Sequence, residues 1–452
     1  MSLVDMSLVA GFIVLAIFVI ALLALVDMSL VAGFIVLAIF VIALLAIMSE
    51  RVNDTAASLM AFGIAATVVY FIDGVQFVDY AAGIGWDVIL FVAAMMIIVS
   101  VVASSGLFQY LGIILALRTF GHPRRIFNYF MVLVFFISLL FDPLPTMLIV
   151  SVFTVEVCNA IDVDFRPYLM TEAVIAGIGS MPTPIGSVTN LVMVYLAEIN
   201  IALMFVVMLP LTIILTIVTM WYMLRKFSTE FDDNIERDMT DLFAIDPNVT
   251  IRSKQDLAVS SIGMVVLIIG LIVLPQQAAM LALIIAGALL VFSRDRAKEL
   301  LRRLSWDTVF FLMGIMGIVQ GLVLTDIIAG LAAGLQWLSE ASVLMAIVLM
   351  VMVPGGLMAP MDAKAVGILL APAAKDLTAI NPMVPLSLIA GTNAGSYVVP
   401  FGDAPNMVVV SISEKNLKPL SWAEFNKTVI PLGLLHLVII VAYFGILTLF
   451  FL

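Results

Sequence analysis

Oxygen-bearing side chains cluster at places where the chain is otherwise apolar. The segment GSMPTPIGSVTN at 179–190 carries Ser180, Thr183, Ser187, Thr189 and Asn190. Its Gly179 and Gly186 permit dihedrals closed to other residues, while Pro182 and Pro184 remove amide donors and prevent a continuous helix. Carbonyls freed in this way, together with the hydroxyl and amide oxygens, suit a hard cation such as sodium. A second segment, GSYVVPFGDAPN at 395–406, shares GSxxxPxGxxxN with the first at an offset of 216. It offers Ser396, Asp403 and Asn406, with Thr392 and Asn393 just ahead. Half-helix amino ends at such breaks direct partial positive charge at an anion, so anion and cation sites can be neighbours. Ser180, Thr183, Asn190, Thr392, Asn393, Ser396 and Asn406 are the expected substrate-binding residues. Close helix packing also favours small residues in membranes, but packing does not require Pro and Asn at matching places in both segments.

Charges buried in apolar stretches form the second group. Asp142-Pro-Leu-Pro-Thr146 lies in the middle of 126–158, a stretch too long for one span that reads as a re-entrant hairpin. Its counterpart, 341–376, holds Pro354-Gly-Gly356 and Ala359-Pro-Met-Asp-Ala-Lys364 near its tip. A charge at bilayer depth costs roughly 2.5–3.5 kcal/mol, so Asp142, Asp362, Lys364 and Asp403 are candidates for the coupling ion, with Thr146, Ser187 and Thr189 beside them. Mutual neutralisation of Asp362 and Lys364 is the purely structural alternative. Proton coupling through Asp142 or Asp403 competes with sodium, because desolvation favours the neutral acid. His436, alone on the last apolar stretch, reads as an interhelical hydrogen-bonder. The single cysteine, Cys158, and the absence of CxxC or HExxH exclude a structural zinc motif, and no cofactor is expected.

The elements that must hold these residues are transmembrane helices. Of 452 residues, 64% are apolar and only 11% charged, which excludes a water-soluble fold; the net charge of −11 gives no footprint for nucleic acid. Continuous apolar runs near 5–25, 28–47, 56–72, 86–105, 201–224, 256–274, 277–293, 306–322 and 428–452 are each about a bilayer long and lack the period-two alternation of a barrel wall. The regions 126–158, 167–199 and 341–413 are apolar but interrupted. Residues 3–24 recur unchanged at 25–46, so 1–24 reads as a duplicated, supernumerary N-terminal helix. With no positive n-region, a signal peptide is the weaker reading.

Basic residues set the orientation. Arg51, Arg118, Arg124, Arg125, Arg166, Arg225, Lys226, the cluster from Arg294 to Arg303, Lys415, Lys418 and Lys427 should be cytoplasmic, whereas 73–85, 198–200 and 323–340 contain no Lys or Arg and read as external. Trp86-Asp87 and Trp306-Asp307 open helices 220 residues apart, and Asp142 falls opposite Asp362 at the same offset. Opposite charge asymmetry around the two Trp-Asp pairs turns the copies upside down relative to one another. The expected architecture is an all-α polytopic membrane protein with two inverted-topology repeats, 25–224 and 256–452, joined by an acidic cytoplasmic linker at 225–255. Each repeat has a re-entrant hairpin (about 126–158 and 341–376) and an unwound transmembrane helix (about 167–199 and 384–413). Inverted repeats with matching broken helices are a signature of secondary transporters.

The runs WDVILFVAAMMIIVSVVASSGLFQYLGI, SLLFDPLPTMLIVSVFTVEVCNAIDVDFRPYLMTEAVIAGIGSMPTPIGSVTNLVMV and GTNAGSYVVPFGDAPNMVVV resemble the ion transporter superfamily. The likeness is to its branch of arsenite permeases, NhaD-type sodium/proton antiporters and the P protein, with a citrate transporter-like domain. It covers about 28–452. It implies scaffold and transport domains moving by an elevator mechanism, commonly in a homodimer. It also implies hairpin tips at Asp142 to Thr146 and Asp362 to Ala365, with unwound loops at 179–190 and 395–406. The Asn that follows the tip Asp in that branch is Pro143 in one copy and Ala363 in the other. On that mapping Lys364 substitutes for a bound cation, leaving at most one sodium site, at Asp142, Thr146, Ser187 and Asn190.

The expected function is secondary active transport of a small anion or oxyacid of the arsenite/silicate-like, sulfate or carboxylate class, coupled to sodium or protons, in a multi-pass protein of the cell or inner membrane. A sodium/proton antiporter is the alternative within the superfamily. A non-transporting membrane subunit would keep the fold and lose the activity. An intramembrane aspartyl protease would use Phe141-Asp142 and Phe401-Gly402-Asp403, but Pro400 occupies the first position of GxGD.

Overall fold

A computed structural model of the chain describes residues 28–48, 52–231, 254–273, 277–302, 304, 306–327, 342–357, 363–378, 381–398 and 404–451. The described residues are helices and their connections, with no strand among them. In chain order the helices are α1 (Met28–Met48), α2 (Asp54–Asp73), α3 (Phe77–Ala82), α4 (Trp86–Ser104), α5 (Leu107–Arg118), α6 (Pro123–Ser138) and α7 (Pro143–Ala160). They continue as α8 (Arg166–Gly179), α9 (Val188–Leu196), α10 (Ile201–Lys226), α11 (Lys254–Val273), α12 (Ala278–Ser293) and α13 (Ala297–Arg302). The last six are α14 (Trp306–Leu324), α15 (Val343–Met352), α16 (Ala363–Leu377), α17 (Met383–Val398), α18 (Ala404–Lys415) and α19 (Trp422–Phe451). A π-turn, Val353–Leu357, follows α15, where Pro354 cannot donate to the helical ladder.

Six of the described helices, α2, α4, α7, α10, α14 and α19, are long and apolar enough to cross a bilayer. Large apolar side chains on them remain exposed, including Met60, Phe71, Ile217, Val438 and Leu449. Lipid accepts such surfaces, provided each backbone amide is satisfied within its own helix. Local chemistry sets the ends. Asn53 accepts from the Ala56 amide at the start of α2, and Gly74 closes it in the left-handed region at φ 72°. Asn200 caps α10 through Leu203, and Arg225 and Lys226 in its last turn complement the negative end of the helix dipole.

Several element bounds differ from the hydropathy reading. The stretch 126–158 is two helices, α6 and α7, around a turn at Leu139–Asp142. A further short helix, α5, precedes them. The last helix starts at Trp422, earlier than the apolar run, because amphipathic residues such as Glu424 and Lys427 continue its first turns. Residues 1–24 lie outside the described residues; the second copy of the repeat is α1.

The described residues form two compact units, one within 28–89 and 306–327, the other within 90–304 and 342–451. In the first, α2 packs on α1 and α14. A Cβ on Gly314 of α14 would sit 2.6 Å from the Ser58 carbonyl carbon, so only glycine lets these two backbones approach so closely. Thr55 Oγ1 donates to the Asp307 carbonyl at 3.0 Å and the Tyr80 hydroxyl to the Gly317 carbonyl at 2.7 Å.

In the second unit the same contacts recur between elements that follow one another in the same order. α8 packs on α6, α7 and α10, as α17 packs on α15, α16 and α19. α9 lies against α16, and α18 against α7; α8 touches α17, and α10 touches α19. Pro210 lies inside α10 and Pro431 inside α19, each followed by leucine.

Candidate functional site

The site grows from the break between α8 and α9. α8 ends at Gly179 and α9 begins at Val188, so residues 180–187 leave the helical path where Pro182 and Pro184 forbid it. This loop is seated on the turn between α6 and α7. The Thr183 hydroxyl donates to the Leu139 carbonyl at 2.5 Å and accepts from the Gly186 amide at 3.0 Å. A Cβ on Gly186 would lie 2.6 Å from the Ser180 carbonyl oxygen and 2.8 Å from that of Ser138, so glycine is required by the fit of loop to turn.

Asp142 joins the two pieces. One carboxylate oxygen caps α7 by accepting from the Leu144 amide at 3.1 Å; the other accepts from Val188, the first amide of α9, at 3.4 Å. This carboxyl group therefore faces two helix amino ends, each carrying about half a positive charge. Ser187 occupies the N-cap position of α9 but makes no side-chain cap bond there. Its hydroxyl is buried without a hydrogen-bond partner among the described residues, as are those of Thr146, one turn into α7, and Ser138.

Asparagines tie this loop to the second broken region. Asn190 Nδ2 donates to the Ser180 carbonyl at 2.9 Å and approaches that of Thr183 at 3.4 Å, closing the loop upon itself. Asn393 Nδ2, on α17, donates to Asn190 Oδ1 at 2.6 Å and to the Ile389 carbonyl at 2.8 Å. The Ser180 hydroxyl donates to the Gly177 carbonyl at 2.9 Å and lies 3.4 Å from Asn393 Oδ1. Asn406 Nδ2 reaches the Ser396 carbonyl at 3.4 Å, the 216-residue counterpart of the bond from Asn190 to Ser180. Asn190 and Asn406 are both fully buried.

The sequence-expected residues distribute as follows. Ser180, Thr183, Asn190 and Asn393 form one hydrogen-bonded cluster; Asp142 holds the Val188 amide next to Ser187, with Thr146 a turn away. Thr189 is buried in the first turn of α9. Thr392 is buried with no partner for its hydroxyl among the described residues, packed against Gly367 of α16, where Met193 of α9 also approaches. Ser396 donates to the Asn393 carbonyl at 2.8 Å and is helical, as are Gly395, Tyr397 and Val398. Residues 395–398 of the expected unwound loop are therefore helical, and 399–403 lie outside the described residues. Asp362 and Asp403 lie outside the described residues, as does the side chain of Lys364, whose backbone is in the first turn of α16.

Two buried features carry no motif. Glu172 of α8 is fully buried and accepts from Thr154 Oγ1 at 2.6 Å. His436 of α19 is contacted by the Tyr397 hydroxyl at 3.0 Å and by Thr219 of α10 at 3.3 Å, the interhelical role expected of it. In both cases the only advance signal is a titratable residue inside an apolar stretch.

Residues 42–389 match the citrate transporter family, which is most of the chain. The chain belongs to the citrate transporter family. A 46 kDa membrane protein of Mycobacterium leprae is 27% identical over 407 residues, covering 88% of this chain and 94% of its own. An uncharacterized transporter of Mycobacterium tuberculosis is 28% identical over 391 residues, covering 84% of this chain and 90% of its own. The crystal structure of the YdaH transporter of Alcanivorax borkumensis shares the fold with a TM-score of 0.52 at 14% identity, covering 82% of this chain and 86% of that one. Membership in the citrate transporter family makes the chain an integral multi-pass membrane transporter and removes the protease reading. Asp142, one of the two aspartates that reading needs, is engaged by the Leu144 and Val188 amides.

Proposed function

We propose that the chain is a secondary active transporter of a small carboxylate or oxyacid anion, with citrate the first candidate, coupled to sodium or protons. The supporting observation is the bond from Asn393 to Asn190, which draws α9 and α17 together around buried hydroxyls that no described protein group satisfies. Native interiors rarely leave such groups unpaired, so Thr146, Ser187 and Thr392 indicate atoms that bind something other than protein.

Charge divides the labour. Asp142 already answers the amino ends of α7 and α9, so a further anion there would meet a carboxylate. A monovalent cation would not. Asp142, Thr146, Ser187 and the freed carbonyls of 180–187 supply the hard oxygen ligands that sodium prefers. The substrate would then use Asn190, Asn393, Thr392 and Ser396 on the face shared by the two breaks.

The recurring contacts of the second unit, the paired Pro210 and Pro431, and the matched bonds of Asn190 and Asn406 support descent of the two halves from one repeat. The opposed charge of their loops supports their inversion. In this reading the α6–α7 and α15–α16 pairs are re-entrant hairpins, and the site is carried across the bilayer by an elevator-like movement in a homodimer. The test is uptake of radiolabelled citrate into proteoliposomes under imposed sodium or pH gradients. Gradient-driven accumulation is expected. Sodium/proton exchange without citrate uptake would favour the antiporter, and no flux of either would favour a non-transporting subunit.

A further inference from the structure

Glu172 is a carboxyl in a place that does not need one. It lies on α8 seven residues ahead of Gly179, about 10 Å along the axis from the break. Thr154 Oγ1 donates to Oε1 at 2.6 Å, whereas Oε2 is equally buried and has no hydrogen-bond partner among the described residues. At the matching position in α17, 216 residues later, the side chain is Leu388, also buried. The equivalent place in the other half thus holds a hydrocarbon, and the carboxyl belongs to this half alone.

Among the described residues, the surroundings provide no counter-charge. Helices α6, α7, α10, α17, α18 and α19 pack on α8. From α7 come Thr154 and the buried thiol of Cys158, and Lys418, between α18 and α19, lies over the Phe165 ring. Glu156 of α7, Arg124, Arg125 and Tyr129 of α6, Arg225 and Lys226 of α10, Glu414 and Lys415 of α18 and Lys427 of α19 are exposed. Tyr222 of α10 stacks under Lys226, and Tyr443 of α19 donates to the Val207 carbonyl. Tyr397 of α17 and His436 of α19 engage each other. Arg166, at the start of α8, pairs with Asp164 and with Glu424 of α19. No described cation pairs with Glu172. A carboxylate here would have one hydroxyl donor and low-dielectric walls, a costly state; a carboxylic acid accepts from Thr154 and carries its own neutralising charge as a proton.

The geometry points to Glu172 as a buried proton-binding site whose occupancy is coupled to transport, an inference that rests on the secondary-transport reading above. One proton adds to the carboxylate to form the acid in one state of the cycle and leaves as a hydrated proton in another, with no other bond made or broken. Because α8 carries both Glu172 and the loop at 180–187, the change of charge acts on the element that frames the substrate face.

Two measurements test this. Infrared difference spectra of the protein in lipid, stepped in pH, should show a protonated-carboxyl carbonyl band that vanishes in Glu172→Gln and shifts in Thr154→Val. Its absence in the wild type, or its persistence in Glu172→Gln, overturns the assignment without reference to any substrate. In proteoliposomes, an inward proton gradient should raise citrate uptake about tenfold in the wild type. Glu172→Asp should keep that stimulation and Glu172→Gln should lose it. Stimulation preserved in Glu172→Gln, or a wild type indifferent to the proton gradient, overturns the coupling. A wild type that moves no citrate at all refutes citrate as substrate, while the infrared band still decides whether Glu172 binds a proton.

Discussion

Thr146 and Ser187 differ from Asn393 in what their removal leaves behind. Neither hydroxyl has a hydrogen-bond partner among the described residues, so Thr146→Val and Ser187→Ala break no bond there. Both variants should unfold within about 0.5 kcal/mol of the wild type, measured by thermal denaturation in detergent, yet lose sodium-dependent stabilisation if these oxygens bind the ion. Asn393→Ala is the opposite case. It removes the 2.6 Å bond to Asn190 Oδ1 and strands that oxygen in a buried setting, at a cost of about 1–3 kcal/mol. The residue types of this cluster were readable beforehand, since Gly, Pro, Ser, Thr and Asn stand out against an apolar background. The pairing was not. Equivalence by sequence couples Asn190 with Asn406, whereas the bond that links the breaks runs from Asn190 to Asn393, across 203 residues and between positions that are not counterparts. Glu172 escaped for a different reason: it has no motif, and its meaning depends on Thr154, which only packing brings to it.

The loop at 180–187 behaves as part of the α6–α7 turn. Gly186→Ala would press a methyl into the carbonyls of Ser180 and Ser138, both backbone atoms that cannot swing away. It should lower thermal stability by about 1–3 kcal/mol, whereas Gly63→Ala on α2, where a Cβ meets nothing within 4 Å, should be close to neutral. Asp142→Ala removes the cap of α7 and the acceptor of the first α9 amide together, and should cost about 1–2 kcal/mol in the same assay. Helix interruptions were legible because Pro and Gly act locally. Their bounds were less so. Pro182 and Pro184 open the first break directly after Gly179, but in the second copy Tyr397 and Val398 stay helical, packed on α8 and near α19.

Orientation in the bilayer follows from loop charge and is checked by labelling single cysteines. Cys158 is buried, so the native background should be silent to an impermeant maleimide. Gln76→Cys, in a loop without basic residues, should react in intact cells; Ser228→Cys, next to Arg225 and Lys226, should react only after permeabilisation. Reversal of that pattern would invert the assignment of the linker. Helical class and membrane character were plain from composition, because continuous apolar runs admit few other folds. The substrate was not, since oxygen ligands and helix ends are shared by transporters of many small anions.

The decisive measurement is citrate uptake into proteoliposomes by the wild type, Asn190→Ala, Asn393→Ala and the double variant. If the two broken helices enclose one site through the bond between these residues, each single change lowers uptake by about tenfold or more and the double variant is no worse than either. Uptake at the wild-type rate in either single variant, or losses that multiply in the double, would contradict it.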